Sequence, residues 1–462
     1  MSTQKNVSEQ QLQTQFTYID AVARLNGGKC LKAYTHTFGC QQNEADTERI
    51  RGMLHEMGYE MTDSTEEADF ILFNTCAVRE HAEDRAFGNI GALSHLKKKR
   101  PDVVIALCGC MAQQEKNVEK IKKSYPQVNL LFGTHALWRF PSLLYRVLTD
   151  RKRVFDIGGE DDIAEGLPVL RAKGAKAWLS IMYGCNNFCT YCIIPYARGR
   201  VRSMPLEAAV AQATGLAAEG YREIVINGIE ISSWGWEWKN DSCLRQLLAA
   251  LCEAVPGVRI RLGSLEPRTI DEAFCKALSG YPNLCPQFHL SLQSGSDTVL
   301  KRMHRKYDTA RYLESVRLLR QYFPGCAVTT DLIVGFPGET EEEFSESLAF
   351  LKTCGLSMFH IFPYSRRKGT PAADMPGQIP NAVKERRAAE AASAAAELEA
   401  QYHTSMLGTT QQVLFEQEEN VLYAGHAMNY VKVYVQAADL HNEIRAVRVT
   451  ELYQDGVLGE LE

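Results

Sequence analysis

The stretch Met182-Tyr-Gly-Cys-Asn-Asn-Phe-Cys-Thr-Tyr-Cys-Ile-Ile-Pro-Tyr-Ala-Arg-Gly-Arg-Val-Arg202 organises the chain. Its cysteines, Cys185, Cys189 and Cys192, are spaced as Cys-x3-Cys-x2-Cys. Three thiolates on one short loop can each bind one iron of a [4Fe–4S] cube, which leaves the fourth iron open to a chelating small molecule. A structural zinc site normally has four protein ligands, and no fourth Cys or His lies close by. The stretch therefore predicts an iron–sulfur cluster with one open iron.

This spacing resembles that of the radical S-adenosylmethionine enzymes. In those enzymes the open iron holds the amino acid end of S-adenosylmethionine, and electron transfer cleaves the molecule to a 5′-deoxyadenosyl radical. The resemblance implies S-adenosylmethionine as a cofactor of this chain.

Length and composition place the loop in a large globular chain. The 462 residues suffice for roughly three domains of about 150 residues each. Residues 1–29 are polar and predict a flexible leader with no secretion signal. No apolar run approaches the ~20 residues that span a bilayer. We therefore expect a cytoplasmic protein without membrane contact, whose 14 cysteines are thiols available to metal rather than disulfides.

Residues 30–148 predict an N-terminal doubly wound parallel α/β domain, because strand patterns alternate with helix patterns. Cys40, Cys76 and Cys110 each come just after one of its strands. Open α/β sheets bind ligands at the carboxyl ends of their strands. We therefore expect the three to converge on a second cluster with an open iron. Cys108, two residues before Cys110, is interpreted as a cysteine packed within its strand.

Residues 149–176, rich in Gly, Asp and Glu, predict a linker, and residues 177–402 contain six βα units. Six units are too few for a closed eight-fold barrel, so we expect an open, partial (β/α)6 barrel. Chemistry in such barrels takes place at the carboxyl ends of the strands. The unusual residues of this region follow its strands, in the cysteine loop, Asn227-Gly-Ile-Glu230, Ser264-Leu-Glu-Pro-Arg268, Ser291-Leu-Gln-Ser-Gly295 and Gly335-Phe-Pro-Gly-Glu339.

Three of these residues are candidate contacts of S-adenosylmethionine. Glu230 lies where radical S-adenosylmethionine enzymes often bind the methionine amino group, although Asn227-Gly alone would only end a strand. Ser291 and Gln293 alternate with apolar residues and should face the barrel interior. An unpaired buried Gln is costly, so a ligand or water partner is expected for it. The Gly335–Thr340 segment fits either a cofactor contact or a loop that enters a capped helix.

Residues 403–462 contain five short strand patterns and predict a small OB-like β-barrel, which is a recurrent platform for single-stranded RNA. The aromatic residues of this module could stack on bases or form its core. They are Phe415, Tyr423, Tyr430, Tyr434 and Tyr453. Carboxylates outnumber cations in this module, so we do not expect it to be the main phosphate clamp.

Two cysteine trios, the radical loop and the terminal barrel together resemble the methylthiotransferase family across residues 31–462. The resemblance implies two [4Fe–4S] clusters, the radical one at Cys185, Cys189 and Cys192 and an auxiliary one at Cys40, Cys76 and Cys110. It also implies that the last module is the RNA-binding TRAM domain. The implied reaction inserts a methylthio group at C2 of modified adenosine 37 in the tRNA anticodon loop. The implied partners are tRNA and an electron donor such as flavodoxin or ferredoxin, whereas the sulfur source stays unknown.

Motifs of the two domains resemble different substrate branches of the family. The barrel motifs, such as Ser264-Leu-Glu-Pro267 and Phe362-Pro-Tyr-Ser-Arg-Arg-Lys-Gly-Thr370, resemble the threonylcarbamoyladenosine branch. Gly39-Cys-Gln-Gln-Asn43 and Asn74-Thr-Cys-Ala-Val-Arg-Glu80 resemble the isopentenyladenosine branch instead. Because the barrel contacts the base, we expect threonylcarbamoyladenosine as the substrate, with isopentenyladenosine as the alternative. Arg268 or Arg367 would then pair the carboxylate of the substrate.

Two more distant alternatives remain open. A third branch of the family modifies an aspartate of a ribosomal protein. The acidic terminal module is compatible with such a protein substrate. Six cluster-type cysteines alone would also permit a non-enzymatic iron–sulfur protein that binds RNA or relays electrons. The polar strand ends of the barrel and the open iron argue against such a relay.

Overall fold

The structure, a computed structural model, describes residues 7–77, 80–158, 166–171 and 174–462. The chain divides into two units. One comprises Met1–Ala172, Tyr183–Asn186 and Ile193–Arg202, and the other comprises Lys173–Met182, Asn187–Cys192 and Ser203–Glu462. The start of the expected leader, much of the expected linker, and Val78 and Arg79 of the Asn74–Glu80 motif lie outside the described residues.

In the described part of the first unit, one parallel sheet has the strand order β2-β1-β3-β4-β5-β6. Its strands are β1 (Leu31–Phe38), β2 (Tyr59–Met61), β3 (Phe70–Thr75), β4 (Val104–Gly109), β5 (Leu130–Phe132) and β6 (Val154–Asp156). The helices are α1 (Glu9–Asn26), α2 (Gln41–Glu56), α3 (Glu80–Lys99), α4 (Glu115–Ser124) and α5 (Phe140–Asp150). The prediction of a doubly wound parallel domain is confirmed.

Both faces of this sheet are buried. Along β3, Phe70 and Leu72 join one apolar cluster, whereas Ile71 and Phe73 join the other. Successive side chains of a strand point to opposite faces, and a sheet covered by helices on both sides needs apolar residues at every position. The unbroken apolar run of β3 therefore places this strand in the middle of the unit.

The expectation of a flexible leader was wrong for α1. Ser8 and Gln11 form a capping box at its start, with N···O distances of 3.2 and 2.9 Å. Gly27 ends the helix in the left-handed conformation, with φ of 58°. Ile19 and Val22 are buried in the core cluster that includes Leu143 and Leu144 of α5. The polar composition hid this helix because only one narrow stripe of it is buried.

In the described part of the second unit, two parallel three-stranded ladders, β7-β10-β11 and β12-β13-β14, are joined by the bridges Ile260–Leu284 and Leu265–Leu290. The barrel strands are β7 (Lys176–Ser180), β10 (Glu223–Asn227), β11 (Arg259–Leu262), β12 (Gln287–His289), β13 (Ala327–Val334) and β14 (Met358–Pro363), while β8 (Met182–Tyr183) and β9 (Arg202–Ser203) flank the cysteine loop. This arrangement confirms the open, partial (β/α)6 barrel.

Helices cover these strands and also follow the cysteine loop. Short α6 (Ile194–Arg198) comes directly after that loop and belongs to the first unit. The helices of the second unit are α7 (Leu206–Ala218), α8 (Leu244–Ala254), α9 (Glu272–Leu278), α10 (Asp297–Arg302), α11 (Thr309–Tyr322), α12 (Glu341–Cys354) and α13 (Asn381–Ser405). None of the helices in the described ranges is long and apolar enough to cross a membrane.

The terminal module is a closed barrel with the strand order β15-β16-β17-β19-β18, and residues 410–461 are all described. The strands are β15 (Thr410–Glu419), β16 (Leu422–Ala427), β17 (Lys432–Val435), β18 (Ile444–Tyr453) and β19 (Gly456–Leu461). Phe415, Tyr423 and Tyr434 are buried, and Tyr453 packs on Tyr434 with ring centroids 5.0 Å apart. The aromatic pattern of this module therefore mainly makes its core.

Tyr430 instead joins the module to the partial barrel. The Arg261 guanidinium of β11 lies 3.9 Å from the centre of its ring, and the ring of His426 stacks on it at 4.4 Å. Lys176, at the start of β7, pairs with Glu416 at 2.7 Å. Arg259, at the start of β11, donates to the main-chain oxygens of His426 and Gln412. The module therefore docks at the amino ends of the barrel strands, away from their carboxyl ends.

Candidate active site

The first cysteine trio lies at the carboxyl ends of three adjacent strands. Cys40 is the N-cap of α2, Cys76 comes directly after β3 and Cys110 comes directly after β4. The Sγ atoms of Cys40 and Cys110 lie 3.5 and 4.0 Å from the same oxygen, Oδ1 of Asn43. The predicted convergence of widely spaced cysteines on one sheet edge agrees with this geometry. Cys108 is buried in the core cluster of β4, which confirms that it packs within its strand.

A network of side-chain amides shapes this edge. Nδ2 of Asn43 donates to Oδ1 of Asn74 at 2.9 Å and to the main-chain oxygen of Thr75 at 3.0 Å. Asn74 returns a bond to the main-chain oxygen of Asn43 at 2.8 Å. Gly109 has φ of +95°, and a Cβ there would meet Asn74 Oδ1 at 2.3 Å. The segments Asn74–Cys76 and Gly109–Cys110 are therefore packed so closely that position 109 has no room for a side chain.

Arg198 of α6 enters the same network. Its Nε donates to Cys110 Sγ at 3.0 Å, and its Nη2 lies 2.9 Å from both Asn43 Oδ1 and Asp46 Oδ2. The sequence analysis missed this role. Arg198 belongs to a basic run that resembles solvated surface, yet only 3% of it is exposed. Its position six residues after Cys192 is the one feature of the sequence that places it near a cysteine trio, and this position does not indicate which side chains it contacts.

The pKa of the Cys110 thiol reflects its burial and the charged groups around it. Burial raises the pKa of the Cys110 thiol to about 12, the Arg198 cation opposes that rise, and the Cys76 and Cys40 thiols add to it. Metal binding requires thiolates and releases their protons. The site could therefore offer sulfur donors to a metal centre, together with a cation that would offset part of their charge.

The second cysteine trio is divided between the two units, with Cys185 in the first. The backbone N–H of Cys185 donates to the main-chain oxygen of Gly199 at 3.1 Å. Gly184 has φ of +69°, and a Cβ there would lie 1.9 Å from the main-chain oxygen of Arg200. The loop therefore needs glycine just before its first cysteine, because the backbone of its returning arm passes so close.

Cys189 and Cys192 belong to the second unit, where a backbone bond of 3.0 Å from Cys192 N–H to the Cys189 oxygen forms a turn. Arg305 donates from Nη1 to Cys189 Sγ at 3.1 Å. Thr190 anchors the turn, because its backbone N–H and its hydroxyl donate to the main-chain oxygens of Met303 and Arg302. These two thiols are thus held next to the Lys301–Lys306 cationic segment.

No three Cys, His, Asp or Glu side chains in the described ranges surround one point closely enough to hold a single metal ion. A [4Fe–4S] cube makes a different demand, because each thiolate binds a different iron. The first trio fits such a cube in its donor chemistry, its common position at one sheet edge and its nearby cation.

Glu230 lies beyond β10, at the carboxyl end of the barrel. Its buried carboxylate accepts hydrogen bonds from the Ser232 N–H at 3.0 Å and from the Ser233 hydroxyl. Burial raises its pKa, and the bonds from Ser233 and Ser232 oppose that rise. The Arg305 charge also opposes that rise. A carboxylate has about four lone-pair sites, so Glu230 can still accept a bond from a ligand ammonium.

Ser291 and Gln293 lie between β12 and α10, and both are half-buried. The premise of a fully buried Gln293 was therefore wrong. Gln293 has φ of +75°, and its backbone bonds Asp331 and Ile333 of β13 at 2.9 Å each. A residue held in the left-handed region is often found at a functional site. This backbone is a bridge between strand ends, which periodicity alone could not reveal.

The Gly335–Thr340 segment forms the entry to a capped helix. The Glu339 carboxylate accepts from Gly335 N–H at 2.6 Å and from Arg387 at 2.7 Å. Thr340 and Glu343 form a capping box at the start of α12. Of the two interpretations that the sequence allowed, the structure therefore shows the helix cap.

The two candidate substrate arginines differ. Arg268 donates from Nε and Nη2 to the two oxygens of Glu266, both at 2.8 Å. Glu266 is 2% exposed, so this fork is already bound to a buried carboxylate. Arg367 is buried, and its main-chain oxygen accepts bonds from the N–H and hydroxyl of Thr370.

Two family models match separate stretches of the chain. The family model described as "Uncharacterized protein family UPF0004" matches residues 32–133, and the Radical SAM superfamily model matches residues 179–351. Among solved structures, the radical S-adenosylmethionine methyltransferase TsrM from Kitasatospora setae superposes with a TM-score of 0.54 at 14% identity, covering 74% of this chain and 75% of that chain. That likeness shows the fold alone.

Curated relatives align over nearly the whole chain. A protein of Alkaliphilus oremlandii is 40% identical over 98% of each chain, and one of Thermoanaerobacter sp. is 38% identical over 100% of this chain and 99% of its own. A Clostridium perfringens protein is 45% identical over 76% of this chain and 79% of its own. All three are named tRNA-2-methylthio-N(6)-dimethylallyladenosine synthase. The chain therefore belongs to the radical S-adenosylmethionine tRNA methylthiotransferases, enzymes that use S-adenosylmethionine and two [4Fe–4S] clusters.

Proposed function

We propose that this enzyme inserts a methylthio group at C2 of N6-isopentenyladenosine 37 in tRNA. The names of the relatives that align over nearly the whole chain support this substrate, and so do the first-domain motifs around Cys40 and Cys76. On the sequence alone this reaction ranks second, behind the threonylcarbamoyladenosine reaction, because the barrel motifs carry more weight than the first-domain motifs. The comparisons favour the alternative over that first choice.

The Arg268–Glu266 ion pair supports the proposal, because it engages one of the two arginines that were candidates for a substrate carboxylate. A threonylcarbamoyl group has a carboxylate, which needs a cation if it is to be buried. Both Nε and Nη2 of Arg268 already bind Glu266. Drawing Arg268 toward a substrate would leave a buried carboxylate unpaired, which is strongly unfavourable. The apolar isopentenyl group makes no such demand.

The six cysteines would divide the work between two clusters. Cys185, Cys189 and Cys192 would hold the radical cluster, whereas Cys40, Cys76 and Cys110 would hold the auxiliary cluster that presents sulfur. An aromatic C–H bond offers no proton that a side-chain base could remove, so the bound cofactors supply the radical chemistry. Glu230 would accept a bond from the methionine ammonium, and Ser291 and Gln293 would line the same cofactor site.

The surroundings of the reaction follow from these parts. An electron donor such as flavodoxin or ferredoxin would reduce the radical cluster. Thiols that must stay reduced fit the cytoplasm. Because Tyr430 is used in docking the terminal barrel, RNA contacts of that module would come from its outward side rather than from this ring.

Nucleoside mass spectrometry tests the substrate directly. The purified, anaerobically reconstituted enzyme is given tRNA that carries isopentenyladenosine or threonylcarbamoyladenosine, and the variant with Cys185, Cys189 and Cys192 replaced by Ala is the control. We expect the methylthiolated product from isopentenyladenosine tRNA only, and none from the control. Product from threonylcarbamoyladenosine tRNA alone would overturn the proposal and restore the first choice.

A further inference from the structure

Arg198 is a buried cation at the first cysteine trio. Its Nε–H points at Cys110 Sγ at 3.0 Å, and its Nη2 is shared by Asp46 Oδ2 and Asn43 Oδ1 at 2.9 Å each. The side chains of Arg198 and Asp46 are only 4% and 5% exposed. Burying a guanidinium is costly unless it has charged and hydrogen-bonding partners. Placing this cation next to a sulfur atom therefore costs desolvation free energy. A residue with a role only at the surface would not need to be buried in this way.

The acceptor of this bond is informative. A neutral thiol is a weak hydrogen-bond acceptor, whereas bonds to an ionised acceptor are shorter and roughly twice as strong. An arginine aimed at Cys110 Sγ is therefore matched to a thiolate, the form that binds iron. Hydrogen bonds to cluster sulfurs and nearby charge are among the factors that set the reduction potential of an iron–sulfur cluster.

We propose that Arg198 is a positioning residue that tunes the auxiliary cluster, raising its reduction potential through the bond to Cys110, while Asp46 limits that rise. The inference rests on the proposed role of Cys40, Cys76 and Cys110 as cluster ligands. A cation next to a cluster stabilises its more negative, reduced form. The adjacent carboxylate works in the opposite direction.

The placement of Arg198 in the chain is part of the inference. Arg198 ends α6, the helix that directly follows the radical-cluster loop. Ile193 and Ala197 of this segment pack in one buried cluster with Ala77 and Cys110. Thr134 also donates its hydroxyl to the main-chain oxygen of Ala197. The segment that leaves the Cys-x3-Cys-x2-Cys loop is thus anchored at the first trio, with the guanidinium held at a defined position.

The test isolates the auxiliary cluster. In the full-length variant with Cys185, Cys189 and Cys192 replaced by Ala, the remaining cluster is titrated by EPR-monitored reduction, and iron is counted. We expect Arg198→Gln to lower the midpoint potential and Asp46→Asn to raise it. Arg198→Lys, which keeps the charge, should recover most of the potential. Arg200→Gln is the matched control, because it makes the same change two residues away at an exposed position, and it should leave the potential in place.

The outcomes distinguish an effect on the reduction potential of the cluster from a loss of packing around it. Shifts of opposite sign at Arg198 and Asp46, with iron content retained, would support the proposal, since loss of packing alone would not invert its sign. Unchanged potentials in both variants would overturn it. Equal loss of the cluster in the Gln and Lys variants of Arg198, with no shift in the cluster that remains, would also overturn it. If the parent triple variant binds no iron, the cluster assignment of Cys40, Cys76 and Cys110 itself is wrong.

Discussion

Arg268 binds a carboxylate that is almost wholly buried, and this limits what the neighbouring strand ends can recognise. The two bonds of 2.8 Å to Glu266 make the arginine a structural partner of its own loop. The backbone N–H of Glu266 in turn donates to the Ser232 hydroxyl oxygen at 2.8 Å. The Ser232 N–H also donates to the Glu230 carboxylate, so the loop that carries the ion pair is bonded, through Ser232, to the candidate cofactor carboxylate.

We therefore predict that Arg268→Met lowers stability by ~1.5–3 kcal/mol, the worth of a hydrogen bond to a charged group. The variant leaves Glu266 buried without its cation. The double variant Arg268→Met, Glu266→Gln should recover part of the loss, because it removes the unpaired charge. Chemical denaturation of both variants measures the effect. A single variant as stable as the parent would show that the pair is only a surface contact.

At the scale of elements, the docking of the terminal barrel depends on a small group of side chains. Tyr430 has φ of +69°, which places its ring between Arg261 and His426. Lys176 also donates to its hydroxyl at 3.3 Å. A non-glycine residue in this conformation is held there by its surroundings. The interface is therefore centred on the Tyr430 ring, which the cations of Arg261 and Lys176 contact.

Removing that ring should loosen the module without unfolding the chain. We predict that Tyr430→Ala exposes the α13–β15 connection to limited proteolysis, since each cation–π contact contributes ~0.5–2 kcal/mol. Tyr453→Ala is the control, because Tyr453 packs on Tyr434 within the module. Equal protease sensitivity in both variants would mean that the contacts of Tyr430 do not hold the two barrels together.

At the scale of the whole molecule, the two cysteine trios come from different parts of the chain, and each has an arginine bonded to one of its sulfurs, Arg198 buried and Arg305 half-buried. Arg198 bonds Cys110 and Arg305 bonds Cys189. The partners of the two cations differ, because Arg198 also binds Asp46 whereas Arg305 donates to Tyr307 and Tyr191 hydroxyls. Each trio should therefore load and function as a separate site.

We predict roughly eight irons per chain after anaerobic reconstitution, four for each cube. Replacing Cys40, Cys76 and Cys110 by Ala should halve the iron and stop sulfur insertion, while cleavage of S-adenosylmethionine continues. Replacing Cys185, Cys189 and Cys192 should halve the iron and abolish that cleavage. Iron analysis and product chromatography give both readouts. Loss of all iron from a folded variant of either trio would show that the sites depend on each other.

The sequence alone determined the fold class and the main strands, because hydrophobic periodicity is local. Apolar periodicity predicts strands near 32–38, 223–228 and 327–333, and each of them differs from β1, β10 or β13 by one residue at one end. The edge strands β2 and β6 were missed because only the first of their three residues is buried, whereas all three residues of β5 are buried. The same local reasoning predicts both cysteine trios, since three cysteines lie on one loop and three each follow a predicted strand.

Only the tertiary structure decided what the charged residues do. Arg198 and Arg200 have the same chemistry and stand two positions apart, yet one is buried against Cys110 and the other is exposed. Arg268 was a candidate substrate clamp until its fork was found on Glu266. The free energy of a charge depends on its partners in space and on its burial. Those partners lie far away in sequence, as Asp46 does from Arg198, and no local pattern encodes them.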